Sequence, residues 1–332
     1  MNIVLTSVLT IVALWLGRPL LLPVITAVFL WYLTNAIAKY YREIIKSKTA
    51  SELLAGSSLA GVLYFFVSQI QPMFSELYGR MPQITNGIEG ILSDISKLLG
   101  IQITFTGLPT FQDIVTSVGT SLAGIGAAFG MIVIYMIFIF VEQNTFTNKI
   151  SALFPDKKKL NKINFIIASI DAHMKKYIFV KTGIGLLIAV CSYIWLRIIG
   201  IDFASMWAFL AFVLSYIPTF GAILAVALPV VYMFALEGAV APILALFLGL
   251  ALFQILFGNI LDPKLTGKTL NLSTLAILIN LLFWGMIWGA LGMFFSVPIL
   301  VATFVISAQF DKTRWLAILL SADGQIPDKN EE

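Results

Sequence analysis

Six long apolar runs, each nearly free of charged residues, dominate the sequence. They lie at residues 2–17, 20–38, 54–71, 121–142, 178–197 and 239–258. A bilayer crossing needs about 20 predominantly apolar residues, and a helix satisfies its own backbone hydrogen bonds within lipid. Charged residues make up 11% of the chain, against roughly a quarter of an ordinary soluble domain. The runs therefore predict an all-α, polytopic integral membrane protein.

Two further apolar segments, 203–236 and 272–309, are each interrupted near mid-length by helix-breaking residues. The first segment carries Pro218 and Gly221 at its middle. The corresponding residues of the second segment are Gly285, Gly289, Gly292 and Pro298. Proline lacks the amide hydrogen and glycine permits a bend, so each segment is predicted to form a broken helical hairpin. Together with the six spans, the two hairpins give eight membrane segments.

Basic residues collect in two of the connections between spans. The 39–52 and 143–176 links are rich in lysine, whereas Arg80 and Lys97 are the only basic residues of the sequence between 72 and 120. Because Lys and Arg concentrate on the cytoplasmic side, we predict that both links and both termini are cytoplasmic and that 72–120 is external. The two hairpins then have opposite orientations, which is typical of a transport site. Tight helix packing through small residues is the alternative explanation of their glycines.

The external region predicts an amphipathic helix. Apolar residues recur at three- and four-residue steps from Phe74 to Leu99, which is the period of one helical face. The membrane surface, the protein's own spans or another protomer could cover that face. The following span has a face of small residues, namely Ala123, Gly126, Ala127 and Gly130. Together these two features favour a homo-oligomer.

The chain is predicted to form a single membrane domain over 1–332, because no long polar block interrupts it. The predicted parts are the N-terminal spans (1–71), an extracytoplasmic amphipathic region (72–120), a span with its basic cytoplasmic link (121–176), a transport-type core (177–310) and a cytoplasmic tail (311–332).

The residue patterns of common enzyme and metal sites are missing from the sequence. It has one histidine, His173, and one cysteine, Cys191, so this chain alone supplies neither a multi-histidine metal site nor an intrachain disulfide. It contains no HExxH, GxSxG or GxxxxGK[ST] motif. We therefore predict no enzyme activity, no metal, no cofactor and no nucleic-acid partner. Any transport is expected to be driven by gradients, since no nucleotide loop is present.

The polar stretch ILDPKLTGK follows the 239–258 run. Asp262-Pro263 is predicted to end the helix and Gly267 to let the chain reverse. Gln254 and Asn259 are not needed for such a turn. Because buried polar groups require partners, we assign these two amides to a transport path.

These motifs resemble those of the autoinducer-2 exporter family, a widespread group of bacterial membrane proteins. The shared C-terminal residues are Gln254, Asn259, Leu261-Asp262-Pro263, Gly267-Lys268, Trp284-Gly285, Gly289, Gly292-Met293 and Pro298. Ile217, Pro218 and Gly221 are similar to the family's Ile-Pro-x-x-Gly hairpin. The resemblance implies the bacterial inner membrane, and either export of a small polar signalling molecule or sodium–proton exchange. Many members carry His-Pro where this chain has Leu272-Ser273, which leaves the substrate open.

We therefore expect a secondary transporter or facilitative exporter of a small polar solute, with its path between the two hairpins and the 239–258 span. The residues expected to line or shape the path are Ser215, Tyr216, Pro218, Gly221, Gln254, Asn259, Asp262, Gly267, Gly285, Gly289, Gly292 and Pro298. Cation–proton antiport is the alternative mechanism, for which Glu142 and Asp262 are the candidate coupling-ion ligands. An alternative of another class is a membrane scaffold that transports nothing.

Two smaller expectations concern individual residues. If the hairpins move, Gly221→Ala and Gly289→Ala should slow transport while stability stays unchanged or rises slightly, because alanine favours a helix. Arg197 and Asp202 flank an external turn and are expected to form a surface ion pair.

Overall fold

The computed structural model describes residues 3–100, 110–237, 240–266 and 271–326. These ranges are almost wholly helical, apart from an isolated antiparallel bridge between Leu272 and Ser321. The helices are α1 (Ile3–Leu16), α2 (Arg18–Ile45), α3 (Lys48–Gly79), α4 (Met81–Leu99), α5 (Phe111–Leu153), α6 (Lys157–Ile199), α7 (Ala204–Leu214), α8 (Phe220–Glu237), α9 (Val240–Phe253), the π-helix π1 (Gln254–Leu261), α10 (Asp262–Thr266), α11 (Thr274–Gln309) and α12 (Arg314–Leu320). The predicted all-α fold is confirmed.

Six helices of the described ranges are long and apolar enough to cross a membrane. They are Arg18–Ile45, Lys48–Gly79, Phe111–Gln143, Lys157–Ile199, Val240–Leu261 and Thr274–Gln309. Two shorter apolar helices, Ala204–Leu214 and Phe220–Leu236, form the first predicted hairpin. This multi-pass arrangement confirms the prediction of a polytopic membrane protein.

Several helices end elsewhere than the apolar runs predict. With 14 residues, α1 is shorter than a full crossing requires. Helical hydrogen bonding continues across Gly17, whose N–H donates to the carbonyl oxygen of Ala13 at 2.8 Å. Both α5 and α6 have 43 residues, so most of the predicted 143–176 link is helical. Apolarity locates the part of a helix inside the membrane, whereas polar turns extend the same helix outside it.

The described chain divides into two compact units. The first unit draws on residues 1–63, 124–180 and 266–332, and the second on 64–123 and 181–265. Helices α3, α5 and α6 each contribute residues to both units. That these units belong to one membrane domain stays a prediction.

The first unit contains the second broken hairpin, which is α11. Its helical geometry breaks at Gly289, where φ is 67° and ψ is −146°, a conformation that is essentially restricted to glycine. The side-chain amide of Asn280 donates to the carbonyl oxygen of Ser296 at 2.7 Å and so joins the two arms. The indole N–H of Trp288 donates to the carbonyl oxygen of Leu14 at 3.0 Å. The predicted interruption of this segment is confirmed and is centred on one residue.

The second unit contains the first broken hairpin, which is α7 followed by α8. The two helices are separated by residues 215–219, and Thr219 has a positive φ of 60°. Tyr216 in this break is 1% exposed, and its hydroxyl lies 2.6 Å from the hydroxyl oxygen of Thr182 in α6. The break predicted around Pro218 is therefore confirmed, and a buried hydrogen bond fixes it to α6.

The predicted external helix consists of the end of α3 and all of α4, which are separated by Arg80. Helix α4 packs against α8, and Ile84 on that face is fully buried. Gly87 allows the close approach, because a Cβ there would lie 2.2 Å from the carbonyl oxygen of Ala235. The apolar face of α4 is therefore covered by α8, one of the protein's own helices. The homo-oligomer stays a prediction.

The helix does not end at Asp262-Pro263, so that prediction is wrong. π1 runs to Leu261, and α10 continues over Asp262–Thr266. Proline is tolerated in the first turn of a helix, where the amide would lack an intrahelical partner. The change from π to α hydrogen bonding at Asp262 creates such a first turn. Gly267, which was predicted to reverse the chain, lies outside the described residues.

The structure also reverses the expected effect of alanine at the two hairpin glycines. A Cβ at Gly221 would lie 1.8 Å from the carbonyl oxygen of Leu214, and Gly289 has the positive φ described above. We therefore expect Gly221→Ala and Gly289→Ala each to destabilise the protein by about 1–3 kcal/mol. Gly183→Ala in α6 is the matched control, because nothing lies within 4 Å of its Cβ position. Melting temperatures in detergent test this, and equal melting temperatures for all three variants would contradict it.

Candidate functional site

A cavity of about 370 Å³ lies within the second unit. Three segments of the chain line it. They are the part of α6 from Lys181 to Ile188, the break between α7 and α8 with the start of α8, and π1 with the following Asp262. The lining residues are Lys181, Ile184, Ile188, Ser215, Ile217, Pro218, Thr219, Ala222, Ile223, Gln254, Gly258, Asn259 and Asp262. The cavity thus combines isoleucine side chains with a small group of charged, amide and hydroxyl side chains.

A buried ion pair forms one wall of the cavity. The ammonium group of Lys181 donates to a carboxylate oxygen of Asp262 at 2.5 Å, and each side chain is only 15% exposed. The same ammonium lies 3.5 Å from the backbone carbonyl oxygen of Ser215. Charges inside a membrane protein are costly unless they are paired or face a polar space. This pair meets both conditions, since it also lines the cavity.

The π-helix places the predicted amides on the cavity wall. A π-helix closes its turns with hydrogen bonds between residues five apart and often marks a functional site. Gln254 and Asn259 are five apart and both line the cavity, and Gln254 is only 8% exposed. An α-helix would turn these two positions well away from each other. Among the described residues, neither side-chain amide has a hydrogen-bond partner.

The hairpin break supplies Ser215 and Pro218 to the lining. Helix α6 approaches it closely, because a Cβ at Gly185 would lie 2.6 Å from the hydroxyl oxygen of Ser215. Tyr216 and Gly221 belong to the same hairpin but are not lining residues. The cavity therefore contains Ser215, Pro218, Gln254, Asn259 and Asp262 of the predicted path.

The other predicted path residues lie elsewhere or outside the described chain. Gly285, Gly289, Gly292 and Pro298 all belong to α11 in the first unit. Two of these glycines serve close packing of the hairpin arms, because Cβ atoms at Gly285 and Gly292 would meet Met293 and the Trp284 carbonyl oxygen. Gly267 lies outside the described residues.

Glu142, a candidate coupling-ion ligand, is half-exposed in the first unit and forms an ion pair with Lys149. Asp262, the other candidate, is the buried carboxylate of the cavity. The two carboxylates therefore have different environments. Asp262 shares the cavity lining with the amides of Gln254 and Asn259, whereas Glu142 is not a lining residue.

Sequence reasoning missed Lys181. A lysine near the end of an apolar run is usually explained by its ammonium reaching the interface along a flexible stem. The available signal was the position itself, because an ionisable residue inside a membrane segment is by default a functional candidate whose partner should be sought. That partner, Asp262, is 81 positions away, beyond the reach of local spacing rules.

An all-helical, multi-pass membrane protein with a broken helical hairpin beside a cavity that contains polar groups has features of a membrane transporter. The family model of the AI-2E family transporter matches residues 4–312. The chain therefore belongs to the AI-2E transporter family, as its C-terminal motifs indicated.

Several curated relatives are similar over most of their length. The AI-2 transport protein TqsA of Escherichia coli (strain K12) is 25% identical over 311 residues, which cover 91% of this chain and 89% of TqsA. The putative transport protein YhhT of the same strain is 29% identical over 263 residues, or 74% of this chain and 70% of YhhT. A putative transport protein of Haemophilus influenzae is 27% identical over 277 residues, or 78% of each chain.

The ion pair leads to a stability prediction. Asp262→Asn and Lys181→Gln should each destabilise the protein by about 3 kcal/mol, because each removes the opposite charge from a charged group that is largely shielded from water. The double variant should recover most of that loss, since neither charge remains. Asp171→Asn is the control: it breaks the more exposed Lys175–Asp171 pair of α6, which is worth about 0.5 kcal/mol. Melting temperatures decide, and additive losses in the double variant would contradict the coupling.

Proposed function

We propose that this protein is a gradient-driven transporter that moves a small polar solute across the bacterial inner membrane through the Lys181–Asp262 cavity. The observation that carries the proposal is the pair of side-chain amides, Gln254 and Asn259, that line this cavity without a hydrogen-bond partner among the described residues. Gln254 is 8% exposed, and an amide shielded from water without a partner costs free energy, whereas Asn259 is exposed and open to a solute. A polar solute, or the water that it displaces, supplies the missing hydrogen bonds.

The size and composition of the cavity support a small solute. Its volume of about 370 Å³ lies near the lower end of the range of about 300–1,000 Å³ that is typical of small-ligand pockets. Ligand sites typically combine apolar walls with a few polar groups that fix orientation. Here isoleucines form the walls, and the amides, Ser215 and the ion pair are the orienting groups.

AI-2 is the first solute to test, because the relative TqsA is described as an AI-2 transport protein. The other relatives are described only as putative transport proteins. No phosphate-binding loop occurs in the sequence, so we propose that a solute or ion gradient supplies the driving force.

Cation–proton antiport is a second candidate, favoured by the carboxylate of Asp262 in the cavity. A carboxylate can bind either a cation or a proton, and an adjacent ammonium group competes with both. In this mechanism Lys181 neutralises Asp262 between the two occupied states. Na⁺ entering the cavity displaces the ammonium group, and protonation of the carboxylate releases the Na⁺.

The amides provide the test. We expect Gln254→Ala and Asn259→Ala each to lower AI-2 flux about tenfold or more, because the loss of a hydrogen bond to the solute costs about 1–3 kcal/mol. Flux is measured in proteoliposomes that contain only this chain. Gln71→Ala is the matched control, since Gln71 is an exposed amide outside the cavity lining. Melting temperatures establish that all variants are folded.

The outcomes separate the candidate functions. Flux in the wild type and the control that is lost in both cavity variants supports the proposed path. AI-2 flux that is equal in all four proteins would contradict that path. A pH-sensitive dye inside the same vesicles, under a Na⁺ gradient, reports antiport. Vesicles that move neither AI-2 nor protons would instead favour a membrane scaffold.

A further inference from the structure

The junction between α3 and α4 contains a second polar cluster, which is separate from the Lys181–Asp262 cavity. The cluster is centred on Arg80, the single residue between the two helices. It lies against a depression of about 390 Å³ that also includes Glu76 and the turn that leads into α7. Nothing in the proposed transport path uses this cluster.

Arg80 binds three different segments of the second unit. One guanidinium nitrogen donates to a carboxylate oxygen of Asp202 at 2.7 Å and to the hydroxyl of Tyr232 at 3.1 Å. The other terminal nitrogen donates to Glu76 in α3 at 2.8 Å. The sequence suggested that Asp202 pairs with Arg197. In the structure Asp202 pairs with Arg80 instead. The carboxylates of Asp202 and Glu76 raise the pKa of Arg80, so its charge is permanent at every physiological pH.

Aromatic side chains support the same cluster. The guanidinium carbon of Arg80 lies 5.1 Å from the centre of the Phe203 ring, within the range of a cation–π contact. The ring of Tyr232 packs edge-on against Phe203 at 5.8 Å. The indole N–H of Trp207 donates to the backbone carbonyl oxygen of Asp202 at 3.1 Å. Phe203 itself has a positive φ of 59°, which costs free energy for a non-glycine residue and persists only where surrounding contacts impose it.

Two partners of Arg80 lie at the open end of the first hairpin, one beside each arm. Asp202 is just before α7, and Tyr232 is in the second half of α8. Both lie about 20 Å along the helices from the break, at 1.5 Å per residue. The break at the other end of these arms places Ser215 in the cavity wall. Arg80 thus joins the two arms at the end remote from the site that they shape.

A single exposed ion pair would not hold such a hairpin, because such pairs contribute little. Asp202 and Glu76 are indeed 59% and 57% exposed. The arrangement differs because one guanidinium, only 33% exposed, serves two carboxylates, a phenol and a ring. Networks of this kind, built on the planar fork of arginine, are more rigid than isolated pairs.

We propose that Arg80 is a positioning residue that clamps the open end of the α7–α8 hairpin and thereby holds Ser215 in the cavity wall. Its effect on transport rests on the function proposed above, whereas its effect on the hairpin does not. Lysine at this position keeps the charge but cannot serve the same set of partners in one plane.

The first experiment follows the hairpin without any solute. Ala222→Cys in a Cys191→Ser background places a thiol in the cavity lining, and its labelling by a small water-soluble maleimide is timed. We expect Arg80→Gln to speed labelling about fivefold and Arg80→Lys to give an intermediate rate. Lys97→Gln on α4 is the control, because both side chains of the Lys97–Asp94 pair are 75% exposed. Unchanged labelling in Arg80→Gln, or equal acceleration in Lys97→Gln, would overturn the proposal.

Milder variants keep this experiment decisive if Arg80→Gln fails to fold. Tyr232→Phe removes the phenol contact of Arg80, and Asp202→Asn removes the negative charge that Arg80 contacts. Each single variant should accelerate labelling by at most about threefold. The two together should accelerate it about as much as the loss of Arg80, as expected for members of one network. No acceleration in their combination would overturn the proposal.

The second experiment connects the clamp to the cavity through a double-mutant cycle with Ser215→Ala. If Arg80 acts by holding Ser215, Arg80→Gln should reduce AI-2 flux less in the Ser215→Ala background than in the wild type. Equal fold reductions in both backgrounds, at unchanged melting temperature, would mean that Arg80 does not act through Ser215. If the wild-type chain carries no AI-2, the proposed function fails, while the labelling rates still decide whether Arg80 clamps the hairpin.

Discussion

The pairing of Lys181 with Asp262 is the constraint on which the second unit depends. Neither charge is stable in an apolar helical environment alone, and the ammonium reaches both the carboxylate and the backbone of Ser215. This requirement brings α6, the hairpin break and the end of π1 to one place. A break in a membrane helix is tolerated only where protein or a polar cavity surrounds the freed backbone groups. The cavity therefore provides the polar space that the two charges require, and the charges help to provide the polar surroundings that the hairpin break requires.

The two hairpins use different devices to remain broken. In the second unit, the break between α7 and α8 extends over 215–219 and is held by the buried hydroxyl of Tyr216. In the first unit, α11 breaks at one glycine whose backbone conformation excludes other residues, and a bond from Asn280 joins its arms. Both hairpins are fixed by specific contacts in this structure. Any movement during transport has to exchange those contacts for others.

Much of this arrangement could be predicted from the sequence, because composition and helix breakers act locally. The apolar runs predicted the class, and Pro218 and Gly289 lie at breaks that the sequence indicated. Gln254 and Asn259, which line the cavity, could be proposed from the sequence because a turn at this point does not require them. Lys181 was missed because its partner is distant in sequence. The π-helix was missed as well. It is followed directly by α10, so the chain stays helical at Asp262-Pro263, where a helix end had been expected.

Solute flux through a protein that lacks both charges of the cavity provides the decisive test. The Lys181→Gln/Asp262→Asn double variant changes the side-chain volume little and leaves neither charge of the pair, so it should fold. In proteoliposomes with AI-2 on one side, or with a Na⁺ gradient and a pH-sensitive dye inside, we predict that this variant is folded and has lost the flux of the wild type. A folded double variant that transports both solute and ions at the wild-type rate would show that the path does not pass through this cavity.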